Sequence, residues 1–388
     1  MDIKTQPTAT PTPTRTPKAT SASLTHYDLP AWVSDPDAAV LLALLSPELD
    51  GEPFISLLNP ATGEHLDISA LPHTWRLSWG QDAEGLFFQF RYEEKRGISD
   101  EDYVERIYVM TGEVRRLLAS EVEQGREAVA PGGRHLARVS GWPESPATVT
   151  IEDRQTGRRV TLDDPFEGRL EWAEIEWSPT GDLLAVQRRH FVERGEPRVA
   201  ALAIYDSDGG LFRQYNDLDG HSWAPDNSYQ ILYITGEEFP YYRPCLLDIK
   251  DNTTRCITDL VAWSESQAVH TSGYEWAPDG RHVSFVYWGR QDNNVAGLCT
   301  IAIEGGEVSC LVGKETIGEE NFVHGYWWSP DGRYLGFIVS PRNPGSDDGT
   351  LDQLATVAGD GSQYRVWGSG HPPVLWRPAW EDDPNGQQ

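Results

Sequence analysis

One motif returns about every fifty residues along this 388-residue chain, and it constrains the fold more than any other feature. Four copies are close: Trp177-Ser178-Pro179-Thr180-Gly181, Trp223-Ala224-Pro225-Asp226-Asn227, Trp276-Ala277-Pro278-Asp279-Gly280 and Trp328-Ser329-Pro330-Asp331-Gly332. Three copies are looser: Trp79-Gly80-Gln81-Asp82, Val129-Ala130-Pro131-Gly132-Gly133, which lacks the Trp, and Trp376-Arg377-Pro378, which lacks Asp-Gly. Their first residues lie 46 to 53 positions apart. Such a period marks one supersecondary unit that buries its apolar faces only by stacking on neighbours. Proline presets φ at the first corner of a turn, and Asp-Gly supplies the tight reversal. The Trp is large enough to fill the wedge between adjoining units.

Behind each turn comes an apolar run suited to a strand: Leu183-Leu184-Ala185-Val186, Ile231-Leu232-Tyr233, Val283-Ser284-Phe285-Val286 and Leu335-Gly336-Phe337-Ile338. A second hairpin follows, as in Ala201-Leu202-Ala203-Ile204 turning at Asp206-Ser207-Asp208-Gly209-Gly210. Strand, turn, strand, loop, strand, turn, strand is one propeller blade. The seventh anchor, Trp376, has no chain left to complete a blade, while Ala38–Leu45, Pro53–Leu58 and His65–Ser69 read as strands with no anchor before them. The expected fold is therefore all-β: a seven-bladed propeller of four-stranded antiparallel blades, residues 26–388. One C-terminal strand joins three N-terminal strands and so removes the free edge.

The Trp-[Ser/Ala]-Pro-Asp-Gly turn followed by an apolar strand resembles the repeat of TolB-type, WD40-like propellers, over roughly residues 75 to 380. That resemblance implies a propeller used for binding. TolB carries a further α/β domain and the prolyl oligopeptidases a hydrolase domain; neither is expected here. The resemblance speaks to fold more than to activity.

Residues 1–25 are a separate region. Thr5 to Ser23 is nearly all Thr, Pro, Ala and Ser, a composition that buries no apolar area and is expected to act as a disordered tether. Such tracts resemble those following the lipid-bearing cysteine of exported bacterial lipoproteins, so a lipid-tethered precursor is one expectation. No stretch approaches the ~18 apolar residues of a membrane span. A formal charge of -28 and pI near 4.6 oppose nucleic acid and anionic membrane surfaces, which need a basic stripe, and favour a soluble monomer.

Of the four cysteines, Cys245 and Cys256 stand 11 apart and so do Cys299 and Cys310, each pair bracketing a hairpin. Equal spacing in successive repeats suggests two cross-strand disulfides and an oxidising, extracytoplasmic compartment, with free buried thiols as the alternative. A plain two-residue turn at Lys250-Asp251 would place the first pair at a hydrogen-bonded position, less often bridged; a bulge would change that.

Standard catalytic signatures are absent, so no catalytic residue is assigned. Asp206-Ser207-Asp208-Gly209-Gly210 and the group Asp347, Asp348 and Asp352 are weak calcium candidates, each also explained as a turn or loop. Asn252-Thr253-Thr254 fits a glycosylation acceptor or a turn. Five histidines, His73, His221, His270, His324 and His371, are expected in the loops entering the innermost strands, around one channel mouth. Gly220, Gly273 and Gly325 stand three before their Trp, where glycine permits close approach of backbone or ligand. Tyr274, Tyr326, Trp327, Glu174, Glu176 and Glu275 lie nearby. Loops between second and third strands add Tyr92–Arg96, His190–Arg194, Tyr242, Arg243 and Trp288–Gln291 on the same face.

The ligand-binding set is thus His221, His270, His324, His371, Tyr274, Tyr326, Trp327, Glu176, Glu275, Tyr242 and Arg243. The expected function is a non-catalytic binding or scaffold module for a protein, peptide or small polar ligand, with no cofactor required. Alternatives are a metal-assisted hydrolase or lyase acting on carbohydrate, and a structural component of an envelope assembly. The histidines equally suit hydrogen bonding between neighbouring blades.

Overall fold

Six of the seven anchor turns join the innermost strand of a blade to its second strand, and the blades follow one another as seven antiparallel units. The computed structural model describes residues 26–46, 54–69, 76–82, 85–96, 99–118, 126–140, 147–163, 165, 172–190, 199–216, 218–235, 243–267, 269–289, 296–319, 321–341 and 352–378. Five blades span 76–118, 126–161, 172–216, 219–256 and 269–312. The long strand Arg365–Trp376 ends the sixth blade and begins the seventh, merging the two into one seven-stranded sheet. In the seventh, Leu41 pairs with Trp376 and Leu42 with Leu375, so one C-terminal and three N-terminal strands close the ring as expected. The first N-terminal strand is Leu41–Ser46 rather than Ala38–Leu45, because residues 31–38 form a short helix and a turn ahead of it.

The Trp anchors do more than fill wedges. The Trp177 indole N–H donates to the carbonyl of Ala128 (2.9 Å), Trp223 to Glu176 (3.2 Å), Trp276 to Ser222 (3.0 Å), Trp376 to Trp327 (2.8 Å) and Trp79 to Leu375 (3.3 Å). Every acceptor is the residue just before the preceding blade's own anchor. Trp328 reaches the same place through a relay, donating to Ser284 Oγ (2.9 Å), which donates to the Glu275 carbonyl (3.2 Å). A buried indole N–H would otherwise be a costly orphan, so the repeat specifies both the burial and the hydrogen bond.

The turn glycines have two jobs. Gly181 has φ +73 and Gly280 φ +66, conformations that favour glycine. A Cβ on Gly181 would also lie 2.9 Å from the Pro131 carbonyl, and one on Gly280 2.7 Å from the Asp226 side chain. The turns therefore nest against one another around the ring.

Closure is reinforced from outside the sheets. Buried Arg377, next to the last anchor, donates from its guanidinium to the carbonyls of Val33 (2.6 Å), Asp35 (2.6 Å), Pro36 (3.2 Å) and Ala38 (2.6 Å). Upstream, Tyr27 N–H donates to Gly112 O (2.8 Å), tying the N-terminal segment to the outer hairpin of the first blade.

Both expected disulfides are present, Cys245–Cys256 and Cys299–Cys310, accounting for all four cysteines. The first hairpin differs from the two-residue turn. Asp248 pairs with Thr253 across four residues, and Ile257 N–H donates to Pro244 O. That puts Cys245 and Cys256 at the non-hydrogen-bonded position, where Cα atoms approach most closely, here 3.8 Å. The second hairpin carries the bulge, a register shift between Leu298 and Cys299. Each loop is short, so removing one disulfide is expected to cost about 2–3 kcal/mol, read as a lower melting temperature under reductant. Unchanged melting would show the bonds to be irrelevant to the fold. Among the described residues no helix is long and apolar enough to cross a membrane.

Candidate functional site

The inner strands begin earlier than their sequence suggests. His221 lies within Asp219–Trp223, His270 within Val269–Trp276, His324 within Asn321–Trp328 and His371 within Arg365–Trp376, so these are strand residues and not loop residues. The reason is a bulge placed just before the anchor in successive blades. Register shifts fall between Asp219 and His221, between Ser272 and Glu275, and between Val323 and Gly325. Gly220 (φ +66) and Gly273 (φ +60) supply the left-handed residue such a bulge requires, so at these two positions glycine continues a strand and is not required for ligand approach. Tyr92–Arg96, His190, Trp288 and Gly289 likewise belong to second strands, which run on to Arg96, His190 and Gly289.

The third and fourth blades meet at a buried polar pair. His221 Nδ1 lies 3.0 Å from Gln187 Oε1, and its Nε2 lies 3.6 Å from the Glu176 carboxylate, beyond hydrogen-bond length. The His221 side chain is 3% exposed and its Nε2 has no hydrogen-bond partner. Gln187 Oε1 can only accept, so the proton of a neutral His221 sits on Nδ1 and Nε2 is left as a bare acceptor. Burial lowers the imidazole pKa to about 4, so the ring is neutral at pH 7. Glu176 keeps 44% of its side chain exposed. Burial raises its pKa to about 7; a Trp223 backbone N–H opposes the shift and Glu174 adds to it.

Glu275, on the inner strand of the fifth blade, is pushed by burial to about 8. Burial first, and then Glu275, raises the Tyr326 phenol far above its usual value. Tyr326 is buried and its hydroxyl donates to the Gly273 carbonyl, while burial raises Tyr274 to about 12 and its hydroxyl lies 2.7 Å from Thr271 Oγ1. Between the fourth and fifth blades a cavity of about 350 Å³ is lined by His221, Tyr233, Tyr274, Glu275 and Trp276, with Gly220, Ser222, Leu232 and Ile234.

The remaining members of the set are scattered. The His270 ring sits 5.8 Å from that of Trp288 in its own blade. Trp327 packs against the cluster joining the sixth and seventh blades, and Arg243 is exposed at the start of Arg243–Asp248. His73 and Tyr242 lie outside the described residues, as do the side chains of His324 and His371. The structure thus joins His221 to Glu176, and Glu275 to Tyr326 and Tyr274. Gln187 was missed; it follows directly on the apolar run Leu183–Val186 and is buried together with Arg188, and the sequence gives no signal that separates it from an exposed polar end of the strand.

Among the described residues no three His, Cys, Asp or Glu side chains form a metal-holding group. Asp206 Oδ1 accepts the backbone N–H groups of Asp208 (3.0 Å) and Gly210 (2.8 Å), which explains that loop as a turn. Asp347 and Asp348 lie outside the described residues. Asn252, at φ +55, occupies a turn.

The buried carboxyls make stability pH-dependent. Their folded pKa values exceed the unfolded ones, so the unfolded chain ionises first and stability falls as pH rises from about 4.5 to about 8. His221 acts below that range: its lowered pKa costs stability as pH falls from about 6.5 to about 4. Melting temperature is expected to drop between pH 6.5 and 8.5, and Glu275→Gln to flatten the drop. An equal slope in wild type and variant would show that Glu275 is not the group responsible.

What this geometry defines is a seven-bladed β-propeller with a crevice between its fourth and fifth blades, lined by one carboxyl and several aromatic side chains. The chain matches no protein-family profile and no curated protein. Among solved structures it is similar to an oligogalacturonate lyase from Vibrio parahaemolyticus, at 10% identity and TM-score 0.51, over 85% of each chain. It is similar to a prolyl endopeptidase at 11% identity and TM-score 0.51, over 90% of this chain and 52% of that one. A putative TolB from Agrobacterium tumefaciens matches at 17% identity and TM-score 0.42, over 66% of this chain and 83% of that one. At such identities the likeness is one of fold.

Proposed function

We propose that the protein is a non-catalytic binding or scaffold module of the extracytoplasmic space, that it binds at the channel mouth, and that it takes a cationic group there. The observation that carries this reading is the crevice of about 350 Å³, where a carboxyl and three aromatic side chains, Tyr233, Tyr274 and Trp276, line one space and no Lys or Arg does. Aromatic faces and a carboxylate together favour an ammonium or guanidinium. The channel-side Glu174 and Glu176 and the overall charge of -28 attract such a group and repel anions. Two hairpin disulfides support the compartment.

The metal-assisted enzyme remains the second reading, favoured by the fold likeness to oligogalacturonate lyase, one structure of which is described as a complex with manganese. A uronate chain is anionic, which the overall charge of -28 opposes. The envelope-component reading would use the blade sides.

Thermal shift separates these. Primary amines and a lysine-rich peptide are expected to raise the melting temperature, with neutral and acidic oligosaccharides inert. Breakdown of oligogalacturonate in the presence of manganese would overturn the reading in favour of an enzyme. Concentration-dependent assembly with no amine response would favour the structural role.

A further inference from the structure

The two disulfides have the same spacing but differ in what depends on them. Cys245–Cys256 fastens the outermost strand of the fourth blade, Thr253–Cys256, in which Thr253, Thr254 and Arg255 are all exposed. That strand is held to its own blade by main-chain pairing along one edge and by the disulfide. Cys299–Cys310 fastens Ser309–Val312, where Val312 is buried in the cluster joining the fifth and sixth blades. A buried valine anchors a strand without any cross-link. We infer that Cys245–Cys256 is a redox latch on the crevice between the fourth and fifth blades, a role that rests on reading that crevice as a binding site.

Cys256 leads into the helix Thr258–Ser266, which joins the fourth blade to the fifth. Nine residues are too few for a helix to persist in water by itself, and among the described residues no side chain caps its N-terminus. The helix depends on what it packs against. Leu260 is buried in the cluster joining the two blades, and the Trp263 ring meets Phe285 at 5.7 Å and Tyr287 at 5.6 Å, edge to face. Asp259 Oδ2 accepts the Gly306 N–H (2.7 Å), and just ahead of the helix Arg255 donates to the Ile303 carbonyl (2.7 Å).

These contacts continue to the crevice. The Phe285 ring lies 6.3 Å from that of Tyr274. Tyr274 lines the crevice together with Trp276, Leu232 and Ile234, all members of the cluster that holds Leu260 and Trp263. The helix therefore covers the same cluster that forms the crevice wall.

Reduction acts at one end of this series. Cys245 is fully buried and Cys256 partly exposed, so the thiolate of a small dithiol attacks the Cys256 sulfur. The S–S bond breaks, and Cys245 leaves as a thiolate and takes up a proton. The second thiol of the reagent then displaces Cys256, giving two protein thiols and one cyclic disulfide. The Arg243 carbonyl, 3.7 Å from Cys245 Sγ, receives the new S–H. The outer strand frays, the helix loses the strand that carries it, and the crevice wall loses its cover.

The test uses the full chain. Cys245→Ala/Cys256→Ala and Cys299→Ala/Cys310→Ala are compared with oxidised wild type by hydrogen exchange and by calorimetric titration with butylamine. Loss of the first bond is expected to speed exchange over residues 253–267 about tenfold and to weaken butylamine about fivefold. Loss of the second should leave both readings unchanged. If the first double variant does not fold, dithiothreitol treatment of the second, which retains only Cys245–Cys256, makes the same comparison, and reoxidation should restore both readings. Exchange over 253–267 equal to wild type, or faster exchange with butylamine affinity unchanged, would overturn the inference. If oxidised wild type takes no butylamine, the cation reading falls and exchange alone decides the latch.

Discussion

Replacing Trp376 by Ala should destabilise the propeller by about 3–5 kcal/mol, the range for emptying a buried aromatic site. The side chain packs into the cluster that joins the sixth and seventh blades and donates 2.8 Å to the Trp327 carbonyl. Trp376→Phe keeps most of the apolar volume and loses the donor, leaving the carbonyl of Trp327 without it, so roughly 1–2 kcal/mol is expected. The two values, read from chemical denaturation, separate the wedge from the hydrogen bond. An equal loss in both variants would mean that the indole N–H dominates. A negligible loss in both would mean that closure does not depend on the anchor.

Arg377→Ala should have an effect of similar size, about 3 kcal/mol, because one buried cation satisfies four backbone carbonyls. Burial lowers its pKa, with Asp35 and Asp331 opposing, and the group stays charged throughout the accessible pH range. Arg377→Lys should recover only part of the loss, since an ammonium lacks the planar fork that reaches several acceptors at once. The variant should also release residues 26–38 to proteases sooner than wild type. Protease resistance equal to wild type would show that the segment is held by Tyr27 and the neighbouring apolar residues without the clasp.

The parts of this fold that repeat were legible in the sequence, and the parts that occur once were not. Seven anchors gave blade number and closure because each copy reports the same physical demand for a turn and a wedge. The anchor bonds are not legible there, because the motif names the donor while the acceptor is a backbone carbonyl one blade earlier, with no side-chain signature. The glycines before the anchors read as close approach, since a bulge and a binding loop both call for a residue free of Cβ strain. Arg377 sits 344 residues from Val33, and nothing local to either marks the contact.

The site was legible to a lesser degree. The histidines are expected in loops entering the inner strands, whereas His221, His270, His324 and His371 lie within those strands, and which side chains meet depends on blade faces. His221 turns toward the third blade and finds Gln187 and Glu176, whereas His270 stays with Trp288 of its own blade. The bulge, by shifting register within each strand, decides the face, and sequence periodicity does not carry that information.

Whether the crevice takes a cation is tested most directly by calorimetric titration of the amine giving the largest thermal shift. Binding to wild type should release protons and tighten from pH 6 to pH 8, because a cation favours the ionised form of Glu275 in the crevice, at about 8, and of Glu176 beside His221, at about 7. Glu176→Gln/Glu275→Gln should bind at least tenfold more weakly and lose the pH dependence. Binding of equal strength in wild type and variant, with no proton released, would contradict it.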